Sequence, residues 1–263
     1  MAKQNWQHSG RESRRFGKRP ERGRFQPADG PTVLYGWHSV KAALENPARR
    51  VRKLMVTENA LRRLRDESIP LPVEPELVRP DAIAARLGPD AVHQGFLVEA
   101  DPLPVLTLET LTPEGLVVVL DQITDPHNVG AILRSAAAFD VRAVVTTARH
   151  SPEATGALAK AASGAIDLVP LVLVQNLARG MNALRERGFL LVGLDSEGEA
   201  DLADLPLKAP LALVLGAEGK GLRRLTRETC DSVARIDMPG AIKSLNVSNA
   251  AALALYVVSR KLA

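Results

Sequence analysis

The sequence holds one cysteine, Cys230, in 263 residues, which excludes an internal disulfide framework and a cysteine-based metal site. Its five histidines are dispersed, with no HxxxH or HExxH spacing, so no zinc or iron centre is spelled out. No run of eighteen apolar residues occurs, so no membrane span is expected. The charged amino terminus is not followed by an apolar stretch and does not read as a secretory signal. These absences leave a soluble, cytoplasmic protein with no metal and no membrane partner as the expectation.

Charge is present but unevenly placed. The chain carries a net charge of +4 and a pI near 9.4. Residues 1–30 hold eight Lys or Arg against three Asp or Glu, while the rest hold 26 against 27. The basic stretch (Arg11, Arg14, Arg15, Lys18, Arg19, Arg22, Arg24) lacks aliphatic residues and periodicity and reads as a disordered tail. Two roles fit it: a solubilising extension, or an arm that neutralises nucleic-acid phosphates and makes binding salt-sensitive.

After the tail, strands are expected at Thr32–Tyr35, Val51–Thr57 and Phe96–Glu99. Helical stretches are expected at Ser39–Leu44 with Ser39 as N-cap, at Leu61–Arg65, and at Ala82–Leu87 capped by Asp81. Residues 31–101 thus form a small α/β unit, and the prolines of 102–115 mark a semi-extended linker. From residue 116 to 263 the pattern changes. Leu116–Asp121 is apolar on both faces, as a central parallel strand should be. Similar runs recur at Ala143–Thr146, Leu168–Val174, Phe189–Leu194 and Leu211–Leu215, with helical stretches between most of them, which argues for a parallel sheet covered on both faces. The last helix, Val247–Lys261, is apolar nearly all round (Val247, Ala250, Leu253, Leu255, Tyr256, Val257, Val258), so a second subunit is a natural cover for part of it.

Three segments stand where apolar runs give way to helical patterns, the usual place for ligand sites in α/β proteins. The first is Asn128-Val-Gly-Ala-Ile-Leu-Arg134. Asn128 is placed to cap a helix whose residues Val129, Ile132, Leu133, Ala136 and Ala137 face the core, and Arg134 flanks that stripe. A capped helix with a surface arginine is the plain reading; Gly130 and Arg134 beside Asn128 at a strand end favour a site. The second is Gly216-Ala-Glu-Gly-Lys-Gly221. It is neither a P-loop nor a dinucleotide fingerprint, yet three glycines in six residues imply close backbone approach, and Glu218 within the turn calls for a partner. The third is Ser244-Leu-Asn-Val-Ser248, where three polar side chains cluster although one N-cap would suffice.

With these residues in place, the chain resembles the SpoU/TrmH branch of the SPOUT RNA methyltransferases, whose three motifs occur in this order. The likeness covers nearly everything after Pro31. The front segments Leu34-Tyr-Gly-Trp-His-Ser-Val and Ala91-Val-His-Gln-Gly95 resemble an L30-like RNA-binding domain. Within the branch the chain is most similar to bacterial enzymes that methylate a guanosine ribose 2′-OH in large-subunit (23S) rRNA. The resemblance implies S-adenosylmethionine as methyl donor, a trefoil knot in the carboxy-terminal domain and a homodimer formed through that domain. It assigns cofactor contacts to Gly216, Ile236 and Leu245 and the reaction site to Asn128, Arg134, Glu218, Ser244 and Asn246. It makes Arg134 the proton acceptor. A guanidinium with a pKa above ~12 is a poor base, so gripping an RNA phosphate is an equal alternative, with Glu218 holding Arg134 or the RNA. Two features depart from the family pattern: Asn249 just after the third motif, and the basic tail. A tRNA ribose methyltransferase, a non-catalytic RNA-binding or ribosome-assembly protein, and a small-molecule α/β enzyme are the competing readings.

Overall fold

A computed structural model describes residues 30–88, 90–104, 106–148, 158, 161–241 and 244–262. The basic tail read from residues 1–30 lies, but for Gly30, outside the described residues. Among the described residues no helix is long and apolar enough to cross a membrane.

Two sheets organise the chain. The first has the order β1-β4-β2-β3, with β1 at Thr32–Tyr35, β2 at Val51–Val56, β3 at Glu76–Leu77 and β4 at Phe96–Ala100. β4 lies antiparallel to both β1 and β2. Helices α1 (Trp37–Glu45) and α2 (Glu58–Asp66) cover one face through Val40, Leu44, Leu61 and Leu64, while α3 (Pro80–Leu87) covers the other with Ile83 on Met55 and Leu97. Two expected caps are displaced. α1 starts at Trp37 after Gly36, and Ser39 is buried within its first turn. α3 starts after Arg79 with Pro80 in its first turn, where a missing N–H costs nothing, so Asp81 sits inside the helix. Thr57 does cap α2, its hydroxyl accepting from the Ala60 N–H.

The second sheet has seven strands, all parallel, in the order β7-β6-β5-β10-β8-β11-β9. Its centre is β5 (Leu116–Asp121) beside β10 (Leu211–Gly216), flanked by β6 (Val141–Thr147), β7 (Leu171–Val174) and β8 (Leu190–Leu194). Alternate residues enter different cores, as the two-residue period of a strand requires. Val118, Leu120, Leu213 and Leu215 pack with helix α4 (Pro126–Ala138) and the terminal helix α8 (Val247–Leu262); Val117, Val119, Ala212 and Val214 pack with α6 (Leu177–Glu186). Short helices α5 (Ala165–Leu168) and α7 (Arg224–Thr229) complete the layers, and β11 (Ser232–Arg235) with β9 (Ala200–Asp201) forms the far edge. Residues 168–170, expected as strand, close α5 and lead into β7 instead. The connection after β4 is not wholly extended: Leu108–Thr110 make a 3-10 turn and Leu106 bridges Val172.

The two sheets are joined by a buried ion pair. Arg49 donates to both carboxylate oxygens of Asp167, from Nε at 2.7 Å and from a terminal nitrogen at 3.0 Å, and to the Asp101 carbonyl at 3.0 Å. Asn46 adds bonds to the Asp167 side chain and carbonyl at 3.1 Å. The ion-paired side chains are 3% and 0% exposed, so each charge depends on the other. Beside them Gly164, at φ +90°, lets α1 approach: a Cβ there would meet the His38 carbonyl oxygen at 2.6 Å.

Candidate active site

Because the large sheet is parallel, β5, β8, β10 and β11 present their carboxyl ends on one side, where open α/β sheets bind ligands. Residues just beyond three of these ends, 195–197, 216–222 and 236–238, together with Ser244 and Leu245, line a cleft of about 760 Å³. Pockets that enclose small-molecule ligands span ~300–1,000 Å³.

The glycine segment forms one wall. It turns tightly, with the amides of Lys220 and Gly221 donating to the Ala217 carbonyl at 3.3 and 2.9 Å. The chain then crosses over the end of β10. A Cβ on Gly216 would lie 2.2 Å from the carbonyl carbon of Gly221 and 2.5 Å from the Leu222 nitrogen. Two carboxylates hold this crossing down. Asp195 accepts from the Leu222 N–H at 3.1 Å and, through its other oxygen, from the Glu197 N–H at 3.0 Å. Asp121, 1% exposed at the end of β5, accepts from the Arg223 backbone at 3.0 Å and from its Nε at 2.6 Å. Sequence reasoning missed both. Their partners are 27 and 102 residues away, and the only local signal was an acidic residue at the end of an apolar strand.

The three segments meet at the rim. The Asn246 carboxamide donates to the Asn128 side-chain oxygen at 3.0 Å and to Glu218 at 3.4 Å. Its own oxygen accepts from the Ser248 backbone at 2.9 Å and hydroxyl at 2.6 Å. Asn246 is therefore both the N-cap of α8 and the hub of the cluster. Asn128 is not a cap: Asp125 holds that position, accepting from the His127 N–H at 3.0 Å. This places Asn128 third in α4, half-buried, with its side chain available to Asn246.

The remaining expected positions separate. Gly216, Ile236, Leu245, Glu218 and Ser244 line the cleft. Arg134 is exposed on α4 and makes no hydrogen bond or ion pair with the described residues. Glu218 therefore holds Asn246 here and not Arg134. Gly130 serves packing: a Cβ there would strike the Ala161 side chain at 2.4 Å and the Ala162 nitrogen at 2.8 Å. Cys230 is chemically quiet. Burial, with help from Asp231, pushes its thiol up to about 12, and its sulfur donates to the Thr226 carbonyl, so no thiolate nucleophile is present near neutral pH.

The cleft lining combines Leu194, Leu215, Ile236, Leu245 and Val247 with the carboxylates of Asp195, Glu197, Glu218 and Asp237. Lys220, Arg227 and Arg235 line it too, with Arg227 paired to Glu197 and Arg235 to Asp237, so the cleft suits a partly apolar ligand with polar edges.

Known proteins match this arrangement along nearly its whole length. The model of the SpoU rRNA methylase family matches residues 115–256. A model described as RNA 2′-O ribose methyltransferase substrate binding matches residues 33–106. The 23S rRNA (guanosine-2′-O-)-methyltransferase RlmB of Pseudomonas putida is 39% identical over 240 residues, covering 87% of this chain and 96% of that protein. RlmB of Vibrio cholerae is also 39% identical, with the same coverage of both chains. Among solved structures, the SpoU methyltransferase AviRb from Streptomyces viridochromogenes in complex with AdoMet aligns with a TM-score of 0.72 and 27% identity, covering 88% of this chain and 90% of that one.

Proposed function

This chain belongs to the SpoU rRNA methylase family, and from that premise we propose that it transfers a methyl group from S-adenosylmethionine to the ribose 2′-oxygen of a guanosine in 23S rRNA. The observation that carries the reading is the joining of Asn128, Glu218 and Asn246 beside a cleft built on Gly216.

The residues present fit the cofactor. The absence of a Cβ at Gly216 brings backbone to the cleft wall, and Ile236 and Leu245 offer apolar surface for an adenosyl group. When bound, the cofactor supplies a methyl group already activated as an electrophile. What remains for the protein is positioning and proton handling. Asn246 orients Asn128 and Glu218 by donating to both. Asn128, whose carboxamide oxygen is taken, keeps its N–H groups for the RNA, and Glu218 keeps its second oxygen. Ser244 adds a hydroxyl at the cleft edge. Arg134, exposed and without a partner among the described residues, grips an RNA phosphate.

Two further elements belong to this reading. The family implies a knotted chain path in this domain. Leu253 and Tyr256, 46% and 56% exposed on α8, support a homodimer through this helix, since its opposite face is already buried against α4 and the sheet.

The test is to treat a 23S rRNA transcript with the purified protein and labelled S-adenosylmethionine and to map the product. A 2′-O-methylguanosine at one site is expected, lost in Arg134→Ala while cofactor affinity stays nearly unchanged. Unmodified 23S rRNA with the wild-type protein overturns the function; wild-type turnover by Arg134→Ala overturns the role of that residue.

A further inference from the structure

The two front segments, 33–39 and 92–94, are far apart in sequence yet line one cavity of about 230 Å³, closed on a third side by Ser163 of the large-sheet half of the chain. That volume is below the ~300–1,000 Å³ of pockets that enclose whole small-molecule ligands, so a fragment of a larger ligand is the better match. We propose that this cavity receives an unpaired nucleobase of the substrate RNA, in addition to the nucleotide being methylated; the proposal rests on the RNA-methylating reading above.

The lining selects for a neutral, planar, polar-edged group. No lysine, arginine, aspartate or glutamate is among its residues, so neither a phosphate nor a cation would find a charged side chain to pair with. Ser39 is only 8% exposed, and its hydroxyl has no hydrogen-bond partner among the described residues. The side chains of Tyr35, His38 and Ser163 are likewise without a partner among them. A hydroxyl that opens on a solvent-reached cavity can exchange its water for a polar group of an occupant. Gln94 is held in place: its side-chain oxygen accepts from the Trp37 N–H at 2.9 Å, which leaves its two amide hydrogens to donate. Ser, His and Gln together offer donors and acceptors that suit a base edge, and Tyr35 offers a ring for stacking.

Trp37 does not play that stacking part. It is 5% exposed, packed on Phe96 at 5.4 Å and covered by the Arg63 guanidinium at 3.7 Å. Val92, 77% exposed at the cavity rim, is an apolar contact awaiting a partner.

The position couples this pocket to the reaction site. Ser163 follows the Ala161–Ala162 backbone on which Gly130 of α4 is seated, and Asn128 is two residues from that glycine. A base lodged against Ser163 therefore fixes RNA to the same segment that supports the catalytic helix.

The experiment uses the full-length protein and the 23S rRNA fragment that it methylates, with an abasic ribose placed at each unpaired position in turn. In the wild-type protein, one position other than the methylated guanosine is expected to lose about tenfold in affinity. The double variant His38→Ala/Ser39→Ala should bind intact RNA about tenfold more weakly and become blind to that lesion, with S-adenosylmethionine affinity unchanged. Tyr35→Leu, which removes only the ring, should reproduce the blindness. Variants that bind every RNA as the wild type does, or that weaken all of them by one common factor, overturn the proposal. If the wild-type protein methylates no 23S rRNA, the proposed function fails separately. The pocket is then judged on short unstructured oligoribonucleotides, where equal binding by wild type and double variant refutes it and loss by the variant sustains it.

Discussion

Replacing Gly216 with alanine tests how the proposed cofactor cleft is built. No positive φ is required at this position, so the usual conformational argument for glycine does not apply; only space does. The added Cβ would sit 2.2 Å from the carbonyl carbon of Gly221, 2.4 Å from its oxygen and 2.5 Å from the Leu222 nitrogen, where ordinary contact starts near 3.4 Å. All three atoms are backbone, so no rotamer change relieves the clash, and the crossing must retreat by about 1 Å. Overpacking of this kind costs ~1–3 kcal/mol. The retreat is resisted by the Asp195 and Asp121 bonds to residues 222 and 223, so the strain is shared between the loop and β10.

Because the displaced backbone is the cleft wall, affinity for S-adenosylmethionine should fall at least about tenfold, and turnover by up to ~100-fold, the penalty that a misplacement near 1 Å can exact. Calorimetric titration and denaturant unfolding of the same sample separate the two effects. Gly219→Ala is the control. Its Cβ meets nothing within 4 Å but forces a side chain into φ +73°, costing ~1–2 kcal/mol of backbone strain with little change in cofactor binding. A Gly216→Ala protein that binds the cofactor like wild type and unfolds at the wild-type midpoint would refute the close-crossing argument.

Three other outcomes follow from the same geometry. Asn246→Asp keeps an acceptor for the Ser248 N–H but loses the donor to Asn128 and sets a second carboxylate against Glu218; unfolding should be near wild type while methyl transfer collapses, whereas Asn246→Ala should also cost ~1 kcal/mol of cap energy. Asp167→Ala should destabilise the protein by ~3–5 kcal/mol in urea unfolding, since it strands the Arg49 charge, and the pair Arg49→Met/Asp167→Leu should recover most of that loss; a single variant of wild-type stability would contradict the buried pairing. Deleting residues 1–30 should weaken RNA affinity and flatten its dependence on salt, and an unchanged slope in a salt titration would return the tail to a solubilising role.

What could be read from the chain follows the range of the interactions involved. β5, β10 and β8 announce themselves because a strand buried on both faces must be apolar throughout, and Val117 to Leu120 leave no other assignment. Edge strands carry no such demand. β11 and β9 are short, hold Ser232, Arg235 and Asp201, and were not anticipated. Three helix starts fell two to three residues before the expected cap: at α4 Asp125 displaced Asn128, while α1 and α3 begin after Gly36 and Arg79 with no side-chain cap. Asp125, Asn128 and Ser39 are all chemically able, and the choice is made by where the preceding strand releases the chain. The glycine segment was recognisable as a close approach, but what approaches it, the backbone of Leu222, is a matter of chain path. Gly130 was grouped with the site for its neighbours, yet its role is to admit the 161–162 backbone.

The candidate site shows the same limit in sharper form. Asn128 and Asn246 are 118 residues apart, and no periodicity relates them; only their residue types and the resemblance to one family placed them in a common task. The structure adds a physical reason for the arrangement. One asparagine satisfies the orphan N–H of a terminal helix with its oxygen and holds two side chains of the candidate site with its nitrogen, so capping of α8 and assembly of the cluster share one residue. A carboxylate cap would have performed the first task and spoiled the second, and a serine cap could not reach both Asn128 and Glu218. The amide is the group that serves both ends, which is why the Asn246→Asp comparison separates stability from catalysis more cleanly than any deletion.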